Sequence, residues 1–312
     1  MKENNTAPGN EALKTSSPLV RKLKDYIQLI KFTLTFMVVF SSVVSFLIAP
    51  NEQHFSRYKV ISVLLLFVAG MLITGSANAL NQLLEKDTDA VMKRTSKRPV
   101  ADGRMSVQEA AVFAAITGVL GVFILWHYFN AESAWIGTLS LFLYAFIYTP
   151  LKKVNSIAVL VGAIPGALPC MIGWVAAYGD DSVGWIGAWI VFGIQFFWQF
   201  PHFWAIAWLA HQDYTKAGFK LLPGSKGPTR FTALQTIIYS VLMIPFGLLP
   251  WYFHLAGTVS MYIILGCNLW MVWVSIQLFR KMDAKAARWV MFSSYFYLMV
   301  VLLALFTDKI YH

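Results

Sequence analysis

Apolar positions cluster into nine stretches of this chain, near 26–49, 59–84, 107–127, 132–150, 156–178, 184–209, 233–253, 258–279 and 286–306. An α-helix needs roughly twenty apolar residues to cross about 30 Å of hydrocarbon, and each stretch approaches or exceeds that length. In lipid every backbone polar group must be satisfied within the spanning element, so the pattern predicts nine helices. Residues 1–24 are polar and basic and read as a disordered cytoplasmic tail with an interfacial end, followed by a single membrane domain over 25–312. The apolar run after the tail is too long for a signal-peptide core.

Composition strengthens this picture. Of 312 residues, 58% are hydrophobic and 13% charged, and the mean hydropathy is +0.59. Soluble domains carry roughly 25% charged residues. The net charge of +10 raises the question of nucleic acid, and the placement of the charges answers it. With the N-terminus inside, the cytoplasmic segments 1–24, 85–106, 150–155, 210–232 and 280–288 hold 21 of the 25 Lys and Arg residues. The outer edges hold only Arg57, Lys59 and Lys309, and Lys31 lies within the first span. That asymmetry is the positive-inside signal, so the basic charge reports topology and needs no nucleic acid. Cys170 and Cys267 sit in apolar runs and suggest neither a disulfide framework nor a metal cluster.

The loops after the second and sixth helices are long and emerge on the same face, where long loops tend to carry function. The first begins NQLLEKDTDAVMKRTSKRP, residues 81–99. Asn81, Glu85 and Asp89 recur every four residues, so a continuing helix would place them on one stripe. An amide oxygen and two carboxylates make a seat for Mg²⁺, which completes its shell with water and phosphate. Asp87 and the cations Lys93, Arg94, Lys97 and Arg98 lie beside it, suited to a diphosphate. The same residues equally fit a juxtamembrane loop of solvated ion pairs, and the spacing alone does not choose.

The stretch resembles the first motif of the UbiA family of intramembrane prenyltransferases. The further pattern of Asp87, Asp89, Met92, Arg94, Thr95 and Arg98 is similar to the branch that farnesylates protoheme. YTPLKK (148–153), GAIPGALPCMIGW (162–174) and WQFPHFWAIAWLAHQDYTKAGFKLLPGSKG (198–227) extend the resemblance over about residues 25–305. Glu85 stands where the family usually has an Asp, Phe32 where a Pro is more usual, and the second loop keeps only Asp213 of a pair of Asp residues.

The resemblance implies transfer of a farnesyl group from farnesyl diphosphate to a vinyl group of protoheme (heme b), with water added, giving heme O. It implies Asp89, Glu85 and Arg94 as catalytic residues and Asn81, Glu85, Asp89 and Asp213 as Mg²⁺ ligands. Substrate would be held by Asn81, Lys93, Arg98, Tyr148, Lys152, Lys153, His202 and Asp213. Lys152 and Lys153 also fit simple topology anchors. His202 lies beside Pro201, which should kink its helix. A neutral imidazole there suits a heme, or a hydrogen bond to a neighbouring helix. Gly162, Gly166 and Gly173 read as sites of close helix approach. The architecture expected is an all-α bundle of nine transmembrane helices around a central cavity open to the cytoplasmic side, in the cell inner membrane with its N-terminus cytoplasmic. Heme A synthase or a terminal oxidase would be the downstream partner. An aromatic acceptor of the quinone kind is the alternative substrate.

Overall fold

The computed structural model describes residues 17–50, 59–178, 183–224 and 227–310. Residues 1–16, the loop containing Arg57, and Lys226 lie outside them. Among the described residues the regular structure is helical: α1 Pro18–Leu29, α2 Phe32–Ile48, α3 Lys59–Leu84, α4 Lys86–Val91, α5 Val107–Tyr128, α6 Ala131–Leu151, α7 Ala158–Ala176, α8 Trp185–Leu209, α9 His211–Lys216, α10 Arg230–Tyr252, α11 Thr258–Lys281 and α12 Ala284–Thr307.

Seven of these helices are long and apolar enough to cross a membrane, and α1 with α2 makes an eighth if that bent pair is one span. α8 falls outside this set although it has 25 residues. Its Gln195, Gln199, His202 and tryptophans lower its apolarity. The expected helix over 26–49 is broken: α1 and α2 meet at 53°, with Lys31 in the left-handed region at φ 50°. The expected tail boundary at residue 24 also falls inside a helix. Ser17 caps α1, accepting a hydrogen bond from the Val20 amide, and Pro18 starts it with a preset φ.

The most buried span is α7, which packs against α2, α6 and α8. Its glycines explain the closeness: a side chain at Gly173 would meet the backbone of Ser42, and one at Gly166 would meet Gln199. Pro169 cannot donate to the Pro165 carbonyl, so Ser140 Oγ does, at 3.2 Å.

The two ends of the bundle differ. At one end Lys22 and Tyr26 both bond Glu109 at 2.7 Å, Arg104 pairs with Asp25, and the Lys220 amide donates to the Lys152 carbonyl at 2.7 Å. At the other end neutral caps prevail, such as Trp174 Nε1 on the Gly184 carbonyl. There α12 also packs on α2, and Lys309 Nζ donates to the Leu47 carbonyl at 3.0 Å.

Candidate active site

α3 carries the stripe, but not as one unbroken helix. It ends at Leu84, Glu85 opens to φ −104°, and α4 resumes at Lys86. The four-residue spacing survives, because the Glu85 amide donates to the Asn81 carbonyl at 3.0 Å and the Asp89 amide to the Glu85 carbonyl at 2.7 Å. Asn81, Glu85 and Asp89 are 1%, 4% and 0% exposed. Carboxylates this deep are not solvated loop charges, and each must be paired.

The partners come from three different segments. Lys152, just after α6, forms an ion pair with Glu85. Arg98 Nη1 reaches both oxygens of Asp89, at 2.7 and 2.6 Å. Lys31, from the α1–α2 bend, donates to Asn81 Oδ1 at 2.7 Å. The Asn81 amide nitrogen in turn donates to Glu85 Oε2 at 2.8 Å and Thr149 Oγ1 at 3.2 Å. Thr95 ties the backbone, bonding the Asp89 carbonyl at 2.9 Å. Burial pushes the Lys152 ammonium below the ordinary lysine range, against the opposing pull of Glu85.

The C-terminal turns of α6 are shaped for this meeting. Leu143–Tyr148 forms a wide π-helical turn just before Pro150, a residue that has no amide to give. Thr149 Oγ1 donates to the Tyr144 carbonyl at 2.8 Å. The Tyr144 and Tyr148 rings lie 5.4 Å apart. Gly162 makes room for Tyr148, since a Cβ there would stand 2.5 Å from its ring. Lys152 Nζ sits 4.9 Å from the centre of Tyr148 and 5.2 Å from that of Phe219.

The second loop closes over this group. Arg94 Nη2 lies 3.4 Å from the Tyr214 hydroxyl, and Met92 packs with Ala217 and Phe219. Gly218, at φ 74°, ends α9 in a left-handed turn that only glycine adopts at ease. The Phe219 amide then reaches the Tyr214 carbonyl at 2.8 Å and the Gly218 amide the Thr215 carbonyl at 3.1 Å.

The structure thus gathers Asn81, Glu85, Asp89, Arg98, Lys152 and Tyr148, with Arg94 alongside. Lys93 and Lys153 are exposed. Asp213 is half-buried on α9, and its carboxylate makes no hydrogen bond or ion pair with the stripe. His202 lies elsewhere, at the contact of α8 with α12. Its Nδ1 is 2.8 Å from Ser294 Oγ, and it stacks on Trp198 with ring centres 4.9 Å apart. That is the neighbouring-helix hydrogen bond of the plainer reading.

Sequence reasoning missed Lys31, Thr149 and Tyr214. A signal existed for Lys31: a lone charge inside an apolar run is a functional suspect. Among the described residues no group of three or more His, Cys, Asp or Glu side chains is close enough to hold a metal. Two carboxylates and an amide oxygen nevertheless match the hard-donor chemistry of Mg²⁺, which takes few protein ligands. A hollow of about 490 Å³ lies under the second loop, beside His211, Tyr214 and Lys220. An apolar one of about 800 Å³ lies between α3, α5 and α6. Neither is lined by the stripe.

The model of the UbiA prenyltransferase family matches residues 38–301. The protoheme IX farnesyltransferase of Cytophaga hutchinsonii is 41% identical over 293 residues, covering 94% of this chain and all of that protein. Among solved structures, that of a digeranylgeranylglyceryl phosphate synthase superposes with a TM-score of 0.76 at 19% identity, covering 92% of this chain and 98% of that one. A UbiA homologue from Archaeoglobus fulgidus bound to GPP and Mg²⁺ gives 0.59 at 15% identity, covering 91% and 99%. At such identities these two likenesses establish the fold alone. Full-length relatedness to the first protein and the family match establish more: the chain belongs to the UbiA prenyltransferase family, in its protoheme IX farnesyltransferase branch.

Proposed function

We propose that this chain transfers a farnesyl group from farnesyl diphosphate to a vinyl group of protoheme, with addition of water, giving heme O. The observation that carries this reading is 41% identity along the whole length with a protoheme IX farnesyltransferase. The buried stripe supports it, because paired carboxylates ringed by cations suit a diphosphate and its counter-ion. An aromatic acceptor of the quinone kind finds no comparable support, since curated relatives at 39–41% identity are named for protoheme.

Mg²⁺ is the cation we assign to Asn81, Glu85 and Asp89; the A. fulgidus homologue of this fold is bound to GPP and Mg²⁺. When bound it would neutralise the diphosphate. The chain's own residues do the rest. Lys152, Arg98 and Arg94 donate charged hydrogen bonds to the phosphate oxygens, with Lys93 and Lys153 at the exposed rim. The bond from farnesyl C1 to oxygen breaks, and its electron pair leaves with the diphosphate. The vinyl π pair then bonds to C1. Water adds to the carbon left electron-poor beside the porphyrin and loses a proton. Tyr144 and Tyr148 offer ring faces that attract an allylic cation.

His202 is assigned to the porphyrin. Ser294 Oγ donates to the Met291 carbonyl at 2.6 Å, so it accepts from Nδ1–H, leaving Nε2 as the lone-pair nitrogen.

In the membrane we assign nine spans, with α8 the ninth, in the inner membrane with the N-terminus and the stripe on the cytoplasmic side. The 21-to-3 division of Lys and Arg supports that orientation. The stripe would then meet a central cavity open to the cytoplasm, and the product would pass to heme A synthase or a terminal oxidase. The test is to incubate membranes containing the protein with protoheme, farnesyl diphosphate and Mg²⁺ and to identify hemes by mass. A heme heavier by one farnesyl and one hydroxyl group is expected, and unchanged protoheme would overturn the reading.

A further inference from the structure

Lys31 stands in a conformation that residues other than glycine leave unless something holds them, at φ 50° and ψ 57°. What holds it is visible. The last carbonyls of α1 are taken by side chains of α3: Gln82 Nε2 donates to the Gln28 and Leu29 carbonyls at 3.1 and 2.9 Å. Asn78 Nδ2 donates to the Ile30 carbonyl at 3.2 Å, joined there by Thr35 Oγ1 at 2.5 Å. Asn78 and Gln82 flank Asn81, so the helix that bears the acidic stripe is also the one that fixes the bend.

The product of this arrangement is one contact, Lys31 Nζ to Asn81 Oδ1 at 2.7 Å. It also sets the way the amide faces. With the oxygen held by the ammonium, the amide nitrogen turns to Glu85 Oε2 at 2.8 Å. A divalent cation that needs the Asn81 oxygen therefore meets a resident positive charge, and two cations on one oxygen repel. An arriving diphosphate removes the conflict, because it gives the ammonium an anion within reach of its flexible stem.

We propose that Lys31 is a positioning residue of the diphosphate site, passing its ammonium from Asn81 to the diphosphate and so coupling divalent-cation binding to diphosphate binding. The proposal rests on the farnesyl-transfer reading, and its test separates the two. Mn²⁺ serves as the probe, measured by equilibrium dialysis against the full-length protein in detergent, with and without the unreactive farnesyl thiolodiphosphate. For the wild type the analogue should tighten Mn²⁺ by about tenfold to a hundredfold, within the usual range of coupled sites. Lys31→Gly accepts the left-handed turn without strain, so it keeps the bend and removes the charge. It should bind Mn²⁺ alone more tightly than the wild type, while the analogue's enhancement shrinks to under about threefold, a near loss of coupling. Lys31→Arg should keep most of the enhancement. If the glycine variant cannot be recovered folded, Lys31→Asn gives the same reading, since asparagine also tolerates that turn. A neutral variant with wild-type Mn²⁺ affinity and undiminished enhancement overturns the coupling and leaves the enzyme reading standing. A wild type that binds no Mn²⁺ even with the analogue overturns the metal site itself, and the coupling with it.

Discussion

In the loop after α3 two carboxylates lie inside, while Lys86, Asp87, Lys93 and Arg94 stay exposed. Glu85 and Asp89 are buried, and Arg98 and Lys152 come in to meet them. In the loop after α8 the arrangement is turned round: Lys216 and Lys220 face out, and it is Phe219, Ala217 and Leu222 that are buried. Both loops leave the same end of the bundle and both touch Lys152, one through a carboxylate and the other through a backbone hydrogen bond and a ring. The difference teaches a division of labour. Buried ionic groups are costly unless paired, so they are concentrated where charge is needed. The second loop contributes shape, a cover of rings and glycine turns that holds the cations of the first in register.

The sharpest way to break this comparison is at Asp89. Asp89→Asn leaves Arg98 a partner amide but removes a charge, and turnover should fall by about two to three orders of magnitude, the scale of losing one preorganised electrostatic contact. Glu85→Asp should retain substantial turnover, because bridging water can span the missing methylene. Heme product measured by mass at matched protein levels checks both, and wild-type turnover in Asp89→Asn would return the first loop to mere solvation.

Next in size is Lys152→Met, which strands the Glu85 carboxylate in a buried place. A loss of about 3–5 kcal/mol is expected for breaking such a pair, read as a lower melting temperature in detergent. Restoration by the double variant Lys152→Met with Glu85→Leu would support the pairing, and an unchanged melt would refute it.

The second loop is probed by Gly218→Ala. Forcing Cβ into the left-handed turn should cost about 1–2 kcal/mol of stability, with turnover reduced only modestly. The smallest effect is expected at Asp213. As a partly exposed carboxylate with no pairing to the stripe, its change to Asn should alter turnover by less than about threefold, the kinetic size of an exposed ion pair. A fall of orders of magnitude would give the second loop a metal ligand too and erase the contrast.

The helical nature of the chain was legible because apolar run length is a local property, and among the described residues seven helices are long and apolar enough to cross a membrane, or eight with the bent pair of α1 and α2. The four-residue spacing of the stripe was legible for the same reason, although the helix that carries it breaks at Glu85. What pairs with it was not. Glu85 and Lys152, or Asn81 and Lys31, are separated by whole helices, and no pattern of periods links them. The bend at Lys31 was hidden because a lysine at positive φ goes against local preference and is imposed by Asn78 and Gln82 from another helix. His202 was visible as a candidate, while its partner Ser294 lies on the last helix and could be seen only in the fold.

The contact of Lys309 with the Leu47 carbonyl, under the packing of α12 on α2, bears on how the protein is made. A membrane chain is inserted from its N-terminus onward, and here α12, which emerges long after α2, is a helix that packs on it. Until it arrives, α2 and α8 each keep a face turned to lipid that the finished bundle covers. Nascent chains halted before residue 284 should therefore remain open to lipid and to membrane quality control, whatever the state of the charged end.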